Sequence, residues 1–278
     1  MRMGLSAKNS RIFVSYLFMA LGTIIFLFPL VWLVSTSLMS PSENPFSVPP
    51  HLIPHPVTLS NYVETFKNYN FGRYMWNSFL IAMISVGLNI VVTLITAYPL
   101  ARMKFRGRRI VMGLIVATLV LPSQGTLVPS YLLTLHLHLL NTYWGVIVPS
   151  IFSAFSVFLL YQSFNTISHE LDEAARIDGA GDFRIFIQVL TPLVVPTLAA
   201  LAIMGFLGSW DNFLWPLIVL SNSNLYTAPL GLDYFFGTFG ASWSVAAAAS
   251  VLVAAPVVIV FLVLQRWFVN GVAGAFKG

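Results

Sequence analysis

Cysteine is absent from the 278 residues, which excludes disulfides, thiolate metal sites and cysteine nucleophiles. Charge is nearly as scarce: Asp, Glu, Lys and Arg make up 8% of the chain, against roughly 25% in a soluble domain. With 58% hydrophobic residues and a mean hydropathy of +0.84, there is too little polar side chain to cover a water-facing surface. The composition is that of a polytopic, all-α membrane protein. No G-x-x-x-x-G-K-[ST] run occurs, so the chain does not hold ATP in a phosphate loop of its own. His169-Glu170 has no second histidine to complete a zinc-hydrolase motif, because position 173 is Glu. His51 and His55 have no third nitrogen or neighbouring acid, so no metal site is expected. With no catalytic cluster, a membrane enzyme is disfavoured.

Taken in order, residues 1–11 form a basic N-terminal segment with Arg2, Lys8 and Arg11. Ile12 to about Ser37 is apolar and long enough to span a hydrocarbon core of about 30 Å. It is longer than the apolar core of a cleavable signal peptide and reads as a retained first helix. A proline-rich connection follows, from Met39 to about Met75. Further spans are expected at about Trp76–Tyr98, Val111–Leu133 and Tyr143–Tyr161. Pro122 and Pro129 should kink the third. The fifth begins near Ile185–Pro192 and stays apolar to Leu220, longer than one straight crossing. A bend is expected near Gly205–Gly208 or Pro216. An outer connection, 221–242, leads to a sixth span at about Ser244–Leu264, so the transmembrane domain covers 12–267 and a tail covers 268–278.

The positive charge follows this pattern rather than any nucleic-acid site. With the N-terminus inside, twelve Lys and Arg fall on the cytoplasmic side, including the cluster Arg102, Lys104, Arg106, Arg108 and Arg109. Only Lys67 and Arg73 fall outside. This asymmetry predicts cytoplasmic N- and C-termini. Within the spans one ionisable residue stands out, Asp211, in Gly208-Ser209-Trp210-Asp211-Asn212-Phe213-Leu214-Trp215-Pro216. A single carboxylate with no basic partner makes a poor ion relay. It lies about fifteen residues past Pro196, or roughly 22 Å of helix, in the outer half of the bilayer. Two readings stay open: a carboxylate at the interface, or a cavity in which Trp210, Asp211 and Asn212 offer an aromatic face and hydrogen-bonding groups to a polyhydroxylated solute. Trp215 and Trp243 read as packing or interfacial residues.

A charged patch, Ser168–Arg184, interrupts the apolar chain. It reads as helix, stop, helix. Ser168 can cap the first helix, Glu170, Asp172 and Glu173 suit its positive end, and Asp172 and Arg176 stand in the favourable i, i+4 order. Leu171, Ala174, Ala175 and Asp178 share one small, nearly flat face, and Gly179 suits a left-handed stop. Asp182 is expected to cap the second helix. A two-turn helix is marginal alone in water, so a partner should pack on it.

Glu173, Ala174, Ala175, Asp178, Gly179, Ala180 and Pro192 together resemble the EAA loop of ATP-binding-cassette (ABC) importer permeases. Leu139–Gly145, Gly208–Pro216, Gln265–Val269 and the ending Gly271–Gly278 are similar to recurring segments of the second permease of carbohydrate importers, the maltose-type G-subunit group. The resemblance implies a type I ABC importer permease fold with six transmembrane helices, in a bacterial or archaeal inner membrane. It implies that the loop 164–185 couples to ATPase subunits through Leu171, Glu173, Ala174, Ala175, Asp178, Gly179 and Ala180. Its implied partners are a second, different permease, two ATPase subunits carrying ATP and Mg, and an extracytoplasmic solute-binding protein. The tail would reach between the ATPases. The implied cargo is a sugar or oligosaccharide. A polyol or glycerophosphodiester importer, or an ion-coupled carrier, are the alternatives.

Overall fold

A backbone surrounded by hydrocarbon has to bond to itself, and this chain does so as helix after helix. The structure, a computed structural model, describes the backbone of residues 3–40, 42–47, 53–238 and 242–275, and the side chains of these except 3–11, 13, 123, 236–238 and 264–275. No strand occurs among the described residues. In chain order the α-helices are α1 (Met3–Ser37), α2 (Ser60–Asn68), α3 (Phe71–Arg102), α4 (Arg108–Thr118) and α5 (Leu127–His136). Then follow α6 (Tyr143–Ile147), α7 (Ala154–Asn165), α8 (Glu170–Ile177), α9 (Asp182–Arg184) and α10 (Thr191–Leu193). The last are α11 (Val195–Trp210), α12 (Leu214–Val219), α13 (Ala228–Thr238) and α14 (Trp243–Ala275).

Among the described residues, three helices are long and apolar enough to cross a membrane: Val14–Ser37, Phe71–Arg102 and Trp243–Val263. Two bent pairs raise the number to five if each is one crossing. The third expected span is not a continuous helix. α4 stops at Thr118, Pro122 is extended (φ −65°, ψ 133°), and a 3-10 turn at Ser123–Thr126 restarts the chain into α5. The fourth breaks between Tyr143–Ser150 and Ala154–Asn165, with a bend of 41°.

In the fifth, of the two places expected for a bend, Gly205–Gly208 carries none, and the chain breaks at residues 211–213, just before Pro216. α11 runs straight through both glycines, and a bend of 73° separates Asp182–Leu193 from Val195–Trp210. Pro192 and Pro196 explain it, since each removes a backbone donor and crowds the preceding turn. The turn before it is a π-helix, Ile185–Leu190, with the Thr191 hydroxyl donating to the Phe186 carbonyl at 2.7 Å. The segment expected as a separate tail from 268 is helical as far as Ala275. Residues 276–278 lie outside the described residues, as do the side chains of Arg2, Lys8, Arg11, Arg266 and Lys277.

The chain divides into two units, 1–71 with 232–254, and 72–231 with 255–278. In the first, α1 leaves its most apolar stretch wholly unburied, a surface for lipid or another protein. Its C-terminal end is tied down instead: Asn61 Nδ2 donates to the Ser37 and Met39 carbonyls at 2.9 and 2.8 Å. Glu43 accepts the backbone N–H of His55 at 2.8 Å, and His51 lies outside the described residues. In the second, Phe164, Ile185, Phe186 and Leu190 pack with Tyr98 and Ala101 at the end of α3 that faces the charged loop. Trp215, Val219, Ile81 and Ile147 form a separate cluster.

Candidate functional site

The loop of residues 164–185 is built by capping at both ends. Ser168 Oγ accepts the Glu170 N–H at 3.2 Å, the cap expected of it. Glu170, Asp172 and Glu173 occupy the first turn of α8, where the helix dipole favours carboxylates. At the other end Gly179 adopts φ +80°. Its N–H donates to the Arg176 carbonyl at 3.0 Å, and Ala180 N–H donates to the Ala175 carbonyl at 2.9 Å. This pair of bonds is a Schellman motif, and the left-handed residue at its centre is why glycine stands there.

The face predicted for docking is divided. Ala175 and Ala180 pack against the core around Phe164, Ile185 and Phe186, while Glu173, Ala174 and Asp178 are exposed and Leu171 is partly so. Two apolar side chains that the sequence did not single out project furthest: Ile177 is 86% exposed and Phe183 78%. α8 is therefore held on one side by the body and presents the other.

The expected i, i+4 pair of Asp172 and Arg176 does not form. Arg176 reaches Asp182 Oδ1 at 2.8 Å, so Asp182 pairs across the loop, and the residue at the N-cap of its helix is Gly181. Asp172 turns inward to Arg102, the last residue of α3, with Nη1 to Oδ2 at 3.4 Å. The Arg102 side chain is 2% exposed. Nη2 donates to the carbonyls of Phe164 (2.7 Å) and Ile167 (2.8 Å), and Nη1 meets His169 Nδ1 at 2.9 Å. On the sequence, Arg102 is one of five basic residues within eight positions. Only its distance from the loop in the chain hid its different role.

The second candidate site is a cavity of about 310 Å³ between α3, the broken α6–α7 segment and α11. It exists because that segment breaks. The interruption orphans the Ile151 carbonyl, which Asn89 Nδ2 caps at 3.0 Å, as a backbone acceptor removed from water requires. The break also turns Ser150, Ser153 and Ser156 toward the space, opposite Ser85 and Ser209. Ser85 Oγ is buried with no hydrogen-bond partner. Among the described residues, no Asp, Glu, Lys, Arg or His lines the cavity.

Of the three residues predicted for a solute path, Asn212 lines this cavity and accepts the Trp215 N–H at 3.3 Å. Trp210 is turned away, buried and stacked on Phe206 with ring centroids 5.6 Å apart. Asp211 is exposed at the end of α11, outside the lining. The serines carried no sequence signal, because a scattered Ser in an apolar helix looks the same whether it faces a cavity or bonds its own backbone.

The family model for the binding-protein-dependent transport system inner membrane component matches residues 89–274. The chain belongs to this family. Among its relatives are the arabinooligosaccharides transport system permease protein AraQ of Bacillus subtilis (34% identical over 266 residues, 94% of each chain) and the sulfoquinovosyl glycerol transport system permease protein SmoH of Agrobacterium fabrum (34% over 255 residues, 91% of this chain and 89% of the relative). The sn-glycerol-3-phosphate transport system permease protein UgpE of Yersinia pestis is 36% identical over 272 residues, 94% of this chain and 96% of the relative. In fold, the chain matches a bacterial ABC transporter involved in the import of the acidic polysaccharide alginate, with a TM-score of 0.84 at 24% identity over 94% of this chain and 98% of that one.

Two of the segments by which the sequence resembles this family turn out to be partners. Asn141, at φ +56°, gives its N–H to the Val219 carbonyl (2.8 Å), and its side chain accepts the N–H groups of Ser221 and Asn222 at 3.1 and 2.9 Å. Trp215 Nε1 donates to the Gly145 carbonyl at 3.0 Å. A side chain at Gly145 would bring its Cβ to 2.8 Å from Val219 Cγ1 and onto the Leu139 carbonyl. Glycine is thus set by close approach. Tyr143 OH extends the network to Asn77 Oδ1 at 2.8 Å, and Asn77 Nδ2 holds the Asn224 and Tyr226 carbonyls. In this family member the knot ties α3, α6 and the connection after α12 into one piece.

Proposed function

We propose that this permease, paired with a second and different permease, forms the path of an ATP-driven importer for a neutral sugar or oligosaccharide. The chain crosses the inner membrane six times with both ends on the cytoplasmic side. The broken segment Arg108–His136 supplies the crossing beyond the five that length and bent pairs allow. Loop 164–185 seats on one of two ATPase subunits, which hold ATP and Mg, and an extracytoplasmic binding protein delivers the solute. The observation that carries the reading is α8 itself: two turns long, closed by a Schellman motif, packed to the body through Ala175 and Ala180, with Ile177 and Phe183 standing out into solvent. Exposed apolar side chains on a marginal helix call for a partner.

The choice of cargo rests on the cavity. Hydroxyl and amide groups of Ser85, Asn89, Ser209 and Asn212 can exchange hydrogen bonds with a polyhydroxylated solute, Phe155 offers an aromatic face, and among the described residues no charge there would repay the desolvation of an anion. The relative named for arabinooligosaccharides agrees with this. The relatives named for sn-glycerol-3-phosphate and sulfoquinovosyl glycerol favour a charged polyol instead, and that reading requires the partner permease to supply the cation.

The test is uptake by proteoliposomes holding the full complex, with the binding protein outside and ATP inside. Labelled neutral oligosaccharide should enter only with ATP and with the ATPases present, and uptake should survive an ionophore that collapses the membrane potential. Uptake lost with the potential, or persisting without the ATPases, would identify an ion-coupled carrier. Preferential uptake of sn-glycerol-3-phosphate would select the charged-polyol reading.

A further inference from the structure

We infer that Arg102 is the positioning residue that makes the coupling loop and α3 move as one body, so that a displacement of α8 reaches the cavity through α3. This rests on the reading that the loop is driven by an ATPase.

Arg102 ends α3, and its guanidinium meets three stretches of chain at once. Nη2 takes the carbonyls of Phe164, in the last turn of α7, and Ile167, in the turn beyond. A cation is favoured there by the negative end of the helix dipole. Nη1 faces Asp172 and His169 at the start of α8. Three hydrogen-bond contacts and an ion pair are thus spent on the loop and its approach, in a fork geometry that an ammonium cannot reproduce. The guanidinium and its carboxylate are largely hidden from water, with side-chain exposures of 2% for Arg102 and 13% for Asp172, so solvent screening weakens that pair little; the His169 ring is 69% exposed.

The neighbouring cations are built differently. Lys104, Arg106 and Arg109 are exposed, and Arg108 folds back on the Ala101 carbonyl at 3.2 Å. The cluster therefore contains one mechanical residue among four that serve the membrane-surface charge bias. Downstream of the clamp, α3 carries Asn89 and Ser85 in the cavity wall. They stand thirteen and seventeen residues from Arg102, about 20 and 26 Å along an α-helix. The backbone stays helical between them, with Pro99 in the last turn removing one backbone donor. A continuous helix fixed to the loop at one end and lining the cavity at the other is a direct physical link between the two sites. Arg102 touches neither solute nor nucleotide.

The reconstituted complex tests this. Because the chain has no cysteine, spin labels can be placed on Glu170 in α8 and Ile95 on the exposed face of α3. Their separation, measured by pulsed electron paramagnetic resonance, should be the same without nucleotide and with ATP trapped. In Arg102→Lys the two states should differ or the distribution broaden, and solute moved per ATP hydrolysed should fall at least tenfold. Asp172→Asn should lower that ratio too, and the double variant should fall no further than the worse single one. Arg106→Ala, which removes the same charge from the exposed part of the cluster, should leave the ratio unchanged. A label distance that shifts with ATP in the unsubstituted loop overturns the inference, as does Arg102→Lys with a normal ratio. The underlying reading fails separately: a cysteine at Ile177 that no longer cross-links to the ATPase in any variant removes the docking itself, whereas loss of the clamp alone leaves that cross-link intact.

Discussion

Replacing Gly179 isolates the backbone demand of the coupling loop from everything else. Gly179 sits at φ +80°, and a Cβ built there meets nothing within 4 Å. A substitution therefore creates no clash, and its cost is the left-handed conformation alone. For an ordinary L-residue that is about 1–2 kcal/mol, more for a β-branched one and less for Asn, whose side chain can bond locally. Opposing it are two bonds, Gly179 N–H to Arg176 and Ala180 N–H to Ala175, worth about 1 kcal/mol each. About 2 kcal/mol of strain should therefore lower the closed-to-open ratio of the loop roughly thirtyfold, bringing the two forms close to balance. In proteoliposomes carrying the complete importer, solute moved per ATP should decline in the order Gly, Asn, Ala, Val at this position. Complex assembly, read by size-exclusion chromatography, should survive, because a Cβ at this position meets nothing within 4 Å. A Gly179→Val complex with an unchanged transport-to-hydrolysis ratio would refute the claim that the Schellman-closed form is the one that couples.

Three other outcomes follow from separate parts of the fold. Ile177→Asp with Phe183→Asp should abolish co-purification of the ATPase while the two permeases still associate, because these exposed side chains face away from the body. Ser209→Leu should fill part of the cavity of about 310 Å³ and reduce uptake at least tenfold. Asp211→Ala, outside the lining, should change it less than threefold, and the reverse ranking would move the path to Asp211. Gly145→Ala forces a Cβ against Val219 and the Leu139 carbonyl and should cost about 1–3 kcal/mol of overpacking, seen as a lower midpoint of thermal unfolding in detergent.

The legibility of the sequence varied with the range of the interaction. Ser168, Gly179 and the acidic first turn of α8 were readable because capping is local, settled within a few residues. Asp172 and Arg176 were misassigned for the same reason. The i, i+4 rule ranks neighbours on one helix, and here each charge found a better partner outside it, Arg102 for one and Asp182 for the other. The long apolar runs identified α1, α3 and α14, since each carries its own backbone bonds. The bend at Val194 was not anticipated, because Gly205–Gly208 and Pro216 were weighed as breakers and Pro192 and Pro196 were not. Pro192 and Pro196 act together, whereas Gly205 and Gly208 sit undisturbed in α11. Trp210 was assigned to the solute path by its neighbours Asp211 and Asn212, yet successive helical residues point about 100° apart, and only Asn212, past the helix end, reaches the cavity. Ser85, Ser153 and Ser209 come together from three separate segments, a convergence that no local pattern records.

The account stands on α8 lying at the face where ATP is hydrolysed, and side-specific labelling of that helix addresses it most directly. A cysteine introduced at Ile177 becomes the chain's only thiol. A membrane-impermeant maleimide should modify it in inside-out vesicles and leave it untouched in right-side-out ones, with modification suppressed when the ATPase subunits are bound. Modification in right-side-out vesicles, or labelling indifferent to the ATPases, would contradict it.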